Sequence, residues 1–310
     1  MILTVTLNPA MDRIIIIDEL KLGSLNRVKV VHDLAGGKGI NVAEVLTKLD
    51  EESIALGIVG GSNGRLIKSI LEKNKVRADF IWSEHNTRQN LKIKEKNKNR
   101  ETEINENGEI DQEDLELFKD NLKKYLKKNK VLILSGSLPD GAVENTYAEL
   151  IKIANDNKSK VIFDSSGRPF SAGIKEKPYL IKPNLEELEN LTGNKIKKNS
   201  DLLEASKYIF NQGVKVIMVS LGSNGSYIAS EEEAYRFYTP AVKVKQTTVG
   251  AGDTMVAGLA KKISEKVDLK EMGIYSSALA TAFVEKGKIS EINKKNIEDI
   301  INKIKVEKLK

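Results

Sequence analysis

The sequence predicts an α/β fold: a mainly parallel central sheet flanked by helices on both faces, with a small β-sheet lid. Three observations carry this. From residue 53 onward short β-branched apolar runs alternate with helical stretches; polar or glycine-rich turns follow successive runs; and two strand pairs, near 13–34 and 88–104, stand outside the alternation. Alternation implies parallel strands, because each crossover helix returns the chain to start the next strand at the same end of the sheet. With 310 residues, 40% of them hydrophobic, the chain can bury a sizeable core. It shows no internal repeat or linker, so residues 1–310 read as one domain with the two strand pairs inserted as the lid.

Residues 2–7 form the first strand. Asn8-Pro9-Ala10-Met11-Asp12 breaks it and places Asp12 just past a strand end, where open α/β sheets bind ligands. Residues 14–17 and 28–34 follow as strands without an intervening helix; the all-isoleucine run in the first needs cover, which points to a partner subunit. Ala35-Gly36-Gly37-Lys38-Gly39-Ile40-Asn41 then leads into a helix with Val42, Val45, Leu46 and Leu49 on one face. Its glycines let a backbone approach a ligand closely, with Lys38 and Asn41 adding a charge and an amide; a plain strand-to-helix turn fits the same residues equally well.

Next come a strand at 54–59, a helix at 65–73, a strand at 79–82 and a hairpin over 88–104 with its tip at 96–99. A charged helix at 112–128 precedes a strand at 131–134, a helix at 142–154 and strands at 160–164 and 179–182. A helix opening at Asn184, a helix at 201–211, a strand at 215–220, hairpin strands within 225–238 and helices at 251–265, 270–285 and 293–305 complete the pattern.

Composition narrows the chemistry. Cysteine is absent, which removes disulfides, thiolate nucleophiles and cysteine metal sites, and two histidines, His32 and His85, are too few for a histidine-rich zinc site. The net charge of +6 and the run Lys123, Lys124, Lys127, Lys128, Lys130 raise nucleic-acid binding as an option. The lysines, however, end a helix that Glu113, Asp114 and Glu116 begin, the arrangement a helix dipole favours, and 5% aromatics give few stacking platforms. No nucleic-acid partner is expected. No apolar run approaches a membrane span, and the chain opens directly on a strand, so no membrane partner and a cytoplasmic setting are the expectation.

Four turns, 135–139, 164–167, 182–184 and 220–222, follow strands and would share one rim of a parallel sheet. The stretch Thr247-Thr248-Val249-Gly250-Ala251-Gly252-Asp253 joins them: glycines that free N–H groups for an anion, then an acid in the first turn of a buried helix. That acid would repel a phosphate unless it served the group attacking it. No G-x-x-x-x-G-K-[ST] loop occurs, and neither Gly37-Lys38-Gly39 nor Gly250-Ala251-Gly252 completes a dinucleotide fingerprint. Phosphoryl transfer to a hydroxyl fits. The N–H groups of 250–253 would neutralise the moving phosphoryl, Asp253 would accept the alcohol proton, and Mg²⁺ with lysine would screen the phosphates.

Over nearly its whole length the sequence resembles the ribokinase/PfkB family of sugar kinases, in the branch of 1-phosphofructokinase and tagatose-6-phosphate kinase. Both family signatures are present, Gly36-Gly37-Lys38-Gly39-Ile40-Asn41 and Thr248-Val249-Gly250-Ala251-Gly252-Asp253. Residues 6–12, Thr87-Arg88-Gln89-Asn90, Ser135-Gly136-Ser137-Leu138-Pro139 and Lys182-Pro183-Asn184-Leu185-Glu186-Glu187 match further motifs of the branch. The resemblance implies a ribokinase-like fold using ATP and Mg²⁺, with Asp253 as base and Gly250, Ala251 and Gly252 as anion hole. It implies sugar contacts from Asp12, Gly37 and Asn41, and contacts to the phosphate already on the substrate from Lys38, Arg88, Ser137 and Arg27. Lys182, Ser220 and Gly222 would lie along the nucleotide, and Asn184 with Glu187 would order Mg²⁺ through water; an Asn-x-x-Glu helix cap is the bland alternative for that pair. The lid would also be a homodimer surface.

Two positions depart from the family pattern: Thr247-Thr248 before Val-Gly, where an acidic or Asn residue followed by Ser or Pro is common, and Leu49-Asp50 in place of Leu-Gly. The expected reaction is ATP-dependent phosphorylation of a ketohexose phosphate, first fructose 1-phosphate to fructose 1,6-bisphosphate, then tagatose 6-phosphate, then fructose 6-phosphate. Lys38 favours the first two by resemblance and does not separate them. A sugar-phosphate sensor is the non-catalytic alternative.

Overall fold

The computed structural model describes residues 1–28, 30–126, 130–245 and 247–310. The charged helix expected over 112–128 ends at Tyr125, where Leu126 turns extended; Lys127 and Lys128 of the basic run lie outside the described residues.

The first half of the chain runs β1 (Ile2–Thr6), β2 (Ala10–Ile17), β3 (Val30–Gly36), α1 (Lys38–Lys48), β4 (Ser53–Gly60), α2 (Gly61–Lys73) and β5 (Ala78–Ser83). It continues with β6 (Gln89–Glu95), β7 (Arg100–Asn105), α3 (Gln112–Tyr125), β8 (Val131–Ser135) and α4 (Thr146–Asp156). The second half holds β9 (Lys160–Asp164), α5 (Gly167–Ile174), β10 (Leu180–Ile181), α6 (Leu185–Thr192), α7 (Asn199–Phe210) and β11 (Val216–Ser220). It ends with β12 (Ser226–Ala229), β13 (Ala234–Tyr238), α8 (Ala251–Glu265), α9 (Leu269–Lys286), α10 (Lys294–Ile301) and β14 (Lys305–Lys308).

Ten strands make the central sheet, in the order β14-β13-β12-β11-β10-β9-β8-β1-β4-β5. The seven from β11 to β5 are parallel, and β12 to β14 extend the edge antiparallel. Strand alternation sorts the core into two layers. On β1, Leu3 and Val5 pack towards α3, α4 and α7, whereas Ile2 packs with α1, α8, α9 and α10. Helices therefore cover both faces, as expected for this fold class. A third cluster ties α1 and α2 to Met11 of β2 and Ala35 of β3, seating the small sheet on the large one.

That small sheet has the order β3-β2-β6-β7. Its outer pairs are antiparallel, and its centre is a parallel pairing of β2 with β6 that sets Asp12 opposite Asn90. Here the sequence-based expectation for Asp12 is corrected. Asp12 lies within β2 rather than past a strand end, because Ala10 and Met11 already pair with Gly36 and Ala35.

Other boundaries also differ. Residues 167–174 form a helix that the sequence pattern does not announce; Gly and Pro weaken it, and burial of Phe170 and Ile174 overrides that propensity. The expected helix 293–305 stops at Ile301, since residues 305–308 pair with β13 instead. Helix α4 starts at Thr146 rather than 142, with exposed Val143 outside it, and α2 starts at Gly61 rather than 65. Among the described residues no helix is long and apolar enough to cross a membrane.

Candidate active site

The N-terminus of α8 is made by backbone conformation. Gly250, the N-cap, takes φ 99°, open to glycine at little cost, and an added Cβ would stand 2.9 Å from the Phe283 ring. Thr254 donates its N–H to Gly250 O at 2.9 Å and Ala251 donates to Thr248 O at 3.2 Å, while the N–H groups of Gly252 and Asp253 meet no backbone acceptor among the described residues. Two free donors thus stand at the positive end of a 15-residue helix, the setting in which an anion is held.

Asp253 is buried in that first turn. Asn41 Nδ2 donates to its Oδ2 at 2.7 Å. Asn41 belongs to α1, whose N-cap is Gly37, and α1 can approach β1 this closely only because residue 39 is glycine: a Cβ there would be 2.4 Å from Val5 O. The two helix N-termini are thereby brought face to face.

Between them lies a charge cluster whose centre, Asp164, the sequence shows only as part of a turn. Asp164, at the end of β9, is 1% exposed and faces two ammonium groups: Lys182 Nζ lies 3.2 Å from Oδ1 and Lys38 Nζ 3.4 Å from Oδ2. Burial raises the Asp253 pKa to about 6 and the Asp164 charge adds to this, while Asn41, Lys38 and Lys182 pull the other way. Burial works against the Lys38 ammonium, yet Asp164, Asp253 and Glu187 hold its pKa above the ordinary lysine value. The site holds an acid that ionises near neutrality beside two fixed cations.

Asn184 and Glu187 form a reciprocal cap on α6. The Glu187 N–H donates to Asn184 Oδ1 at 2.8 Å, and the Asn184 N–H donates to Glu187 Oε2 at 2.8 Å. Ser220, the last residue of β11, bridges to Asn184, and Gly222 opens the short turn beyond it. These predicted nucleotide and metal residues share the rim with Lys182.

Of the residues predicted for the acceptor, Gly37 and Asn41 stay at the start of α1 beside Asp253, while Asp12, Arg88 and Ser137 gather on the small sheet and the loops beneath it. Asp12 Oδ1 accepts from Asn90 Nδ2 at 2.8 Å, and Arg88 Nη1 donates to Asn90 Oδ1 at 3.0 Å. Arg88 Nη2 reaches Asn8 O at 3.3 Å, and Asn8 Nδ2 donates to Ser137 Oγ at 3.1 Å. Burial draws the Arg88 pKa down, opposed by Asp12. Asp12, Arg88 and Ser137 are thus joined through Asn8 and Asn90, which sequence reasoning did not single out although both lie in the motifs that carry the resemblance. Arg27 is exposed on the β2–β3 connection and, among the described residues, is joined to none of these groups by a hydrogen bond or ion pair. Lys38 joins the two groups: its ammonium pairs with Asp164, and its Cβ lies beside Gly136, the neighbour of Ser137.

The donor set can be tested against Mg²⁺ with a nucleotide. Among the described residues no group of three or more His, Cys, Asp or Glu could hold a metal on its own. An ion held mainly by phosphates, water and one or two carboxylates needs no such group. Glu187 supplies one carboxylate, and Asp164 Oδ1 is buried with no hydrogen bond aligned on it. The Lys182 ammonium stands beside the α8 N-terminus, 3.6 Å from where a Cβ on Gly252 would lie, so an anion at that helix end would also meet this cation. The residues fit.

Comparison with known proteins agrees with this geometry. The family model described as pfkB family carbohydrate kinase matches residues 5–296. A 1-phosphofructokinase from Borreliella burgdorferi is 36% identical over 310 residues, covering 99% of this chain and 98% of the relative. A tagatose-6-phosphate kinase from Staphylococcus epidermidis is 34% identical, with 99% of each chain covered. Among solved structures, phosphofructokinase-2 from Escherichia coli in complex with potassium superposes with a TM-score of 0.91 at 28% identity, over 97% of this chain and 98% of that one. With a family model matched over 5–296 and relatives 34–36% identical over the full chain, the chain belongs to the pfkB family of carbohydrate kinases, phosphotransferases that act on a sugar hydroxyl.

Proposed function

We propose that the protein transfers the γ-phosphoryl group of ATP to a ketohexose phosphate, and that D-fructose 1-phosphate, giving D-fructose 1,6-bisphosphate, is its acceptor. The observation that carries the reaction is the placement of Asp253: a buried carboxylate, ionising near neutrality, beside free N–H groups and two lysines. The 1-phosphofructokinase relative supports the acceptor, and the tagatose-6-phosphate kinase relatives support tagatose 6-phosphate as a second reading. A phosphofructokinase-2 structure bound to fructose 6-phosphate keeps that sugar as a third.

In this reaction Asp253 accepts the proton of the attacking hydroxyl as its oxygen bonds to phosphorus and the bond to ADP breaks. Because phosphoryl transition states are loose, most of the rate comes from positioning and charge. The Gly252 and Asp253 N–H groups and the turn at Gly250–Ala251 receive the transferring phosphoryl. Lys182 neutralises the nucleotide phosphates, with Ser220 and Gly222 along the nucleotide. Asp12, Gly37 and Asn41 hold the sugar, and Arg88, Ser137, Lys38 and Arg27 hold or screen its phosphate. Glu187 and Asn184, with Asp164, would hold Mg²⁺, largely through water, since the cap already engages Glu187 Oε2 and the one side-chain oxygen of Asn184. The ion would supply charge neutralisation between phosphates.

The chain is read as one domain whose small sheet is a lid over the acceptor. Leu22 (87% exposed), Leu25 (75%), Val31 and Leu34 leave apolar surface on it, which supports a homodimer through the lid. Steady-state assays with Mg-ATP and each of the three sugar phosphates test the function. ADP formation with the highest kcat/KM for fructose 1-phosphate is expected. A higher value for tagatose 6-phosphate moves the assignment to the second reading, and binding of a sugar phosphate without turnover moves it to a sensor.

A further inference from the structure

The small sheet carries a cation that no motif signals. Lys92 Nζ lies 3.2 Å from Asp12 Oδ2, on the opposite side of the carboxylate from the Asn90 amide. Asn90 and Lys92 are two apart on β6, so they share a face of the strand, and the parallel register aligns that face with Asp12 of β2. Both charged side chains are 19% exposed. A second acid, Glu103, lies 4.0 Å from the ammonium on the neighbouring strand, within Coulombic range but beyond a hydrogen bond.

This arrangement has a physical purpose if Asp12 holds an anionic sugar. A bare carboxylate would repel the acceptor's phosphate, and its oxygens can only accept hydrogen bonds. Lys92 cancels that charge without occupying all of its own three donors. From the proposed function together with this geometry, we infer that Lys92 is a specificity-determining residue of the acceptor site, donating to an oxygen of the phosphosugar and making Asp12 compatible with an anionic substrate. The three groups Asp12, Asn90 and Lys92 then form one end of the sugar site and help decide which phosphosugar fits.

The test compares the unaltered protein with Lys92→Met and Lys92→Arg by calorimetric titration of fructose 1-phosphate, tagatose 6-phosphate and fructose 6-phosphate, alongside steady-state assays. Lys92→Met is expected to weaken the preferred sugar phosphate at least about tenfold, to narrow the spread of affinities among the three, and to leave the KM for Mg-ATP within about twofold, with kcat changed less than KM for the sugar. These figures follow from the size of a charged hydrogen bond. Lys92→Arg should recover part of the loss, which a role in packing alone would not require. Unchanged affinities and spread in Lys92→Met overturn the assignment while the proposed function stands. Failure of the unaltered protein to bind any of the three sugars overturns the function and this assignment together.

Discussion

The two sides of the site are built from unlike material. Asp253, Asp164 and Lys182 are 6% or less exposed and sit at the ends of elements anchored in the main core. Asp12, Asn90 and Lys92 stand on a four-stranded sheet outside that core, only partly covered, and Ser137 is exposed. The difference separates two tasks. A step shared by every acceptor belongs where charges are desolvated and held still, since electrostatic interactions there are strong and need little reorganisation. Choice among acceptors belongs where a side chain can be exchanged without opening a cavity in the core.

The largest expected effect breaks the buried side. Asp253→Asn should lower kcat at least about 10²-fold, the usual loss of a general base, with nucleotide affinity within several-fold; near-normal turnover would refute the role. The same variant should gain stability at alkaline pH. The folded-state pKa of Asp253 lies above its ordinary value of 3.8, at about 6, so the cost of its buried charge is absent below pH 4 and complete above pH 6. Thermal melts at pH 8 should favour Asp253→Asn by up to roughly 3 kcal/mol, with the gap closing towards pH 4. In the unaltered enzyme kcat/KM should fall below about pH 6 as this carboxylate protonates.

A smaller effect isolates the acceptor side. Arg88→Met should raise the KM for the sugar phosphate about 10- to 100-fold, the range for a charged hydrogen bond, with a lesser change in kcat. Equal losses in KM for sugar and nucleotide would erase the division between the two sides. The smallest separates cap from metal. Glu187→Gln retains a side chain able to close the α6 cap, so stability should shift by less than about 0.5 kcal/mol, while the Mg²⁺ needed for half-maximal activity rises several-fold. Loss of stability with unaltered Mg²⁺ dependence would reduce Glu187 to a capping residue.

What was legible in the sequence follows the same division. Asp253 and its glycines could be read because helix N-termini and anion turns are local, and the alternating layers could be read from periodicity. Asp164 could not be read as a site residue: its place between Lys38 and Lys182 depends on three strand ends meeting, and in sequence it is one polar turn among four. Lys92 was hidden in the lysine-rich run 92–98, since only the register of β2 on β6 selects it. Helix α5 and strand β14 were hidden for opposite reasons. The first has weak propensity rescued by Phe170 and Ile174, and the second is a short charged segment given its form by β13.

The parallel seam of the small sheet has a consequence for the order of folding. β2 and β6 are joined side by side, yet β3, α1, β4, α2 and β5 all lie between them in the chain. Such a pairing cannot form as a local hairpin; closing it carries the entropy of a long loop until the intervening layers have compacted. The hairpin of β6 with β7 can form early, but its docking onto β2 is expected to be a late event. Pulse-labelled amide exchange during refolding should find the β2 amides that face β3, and the β6 amides that face β7, protected before those that join β2 to β6, and simultaneous protection of both sets would contradict that order. The Asp12–Asn90–Lys92 cluster would then exist only after two separately formed hairpins, β2 with β3 and β6 with β7, have docked.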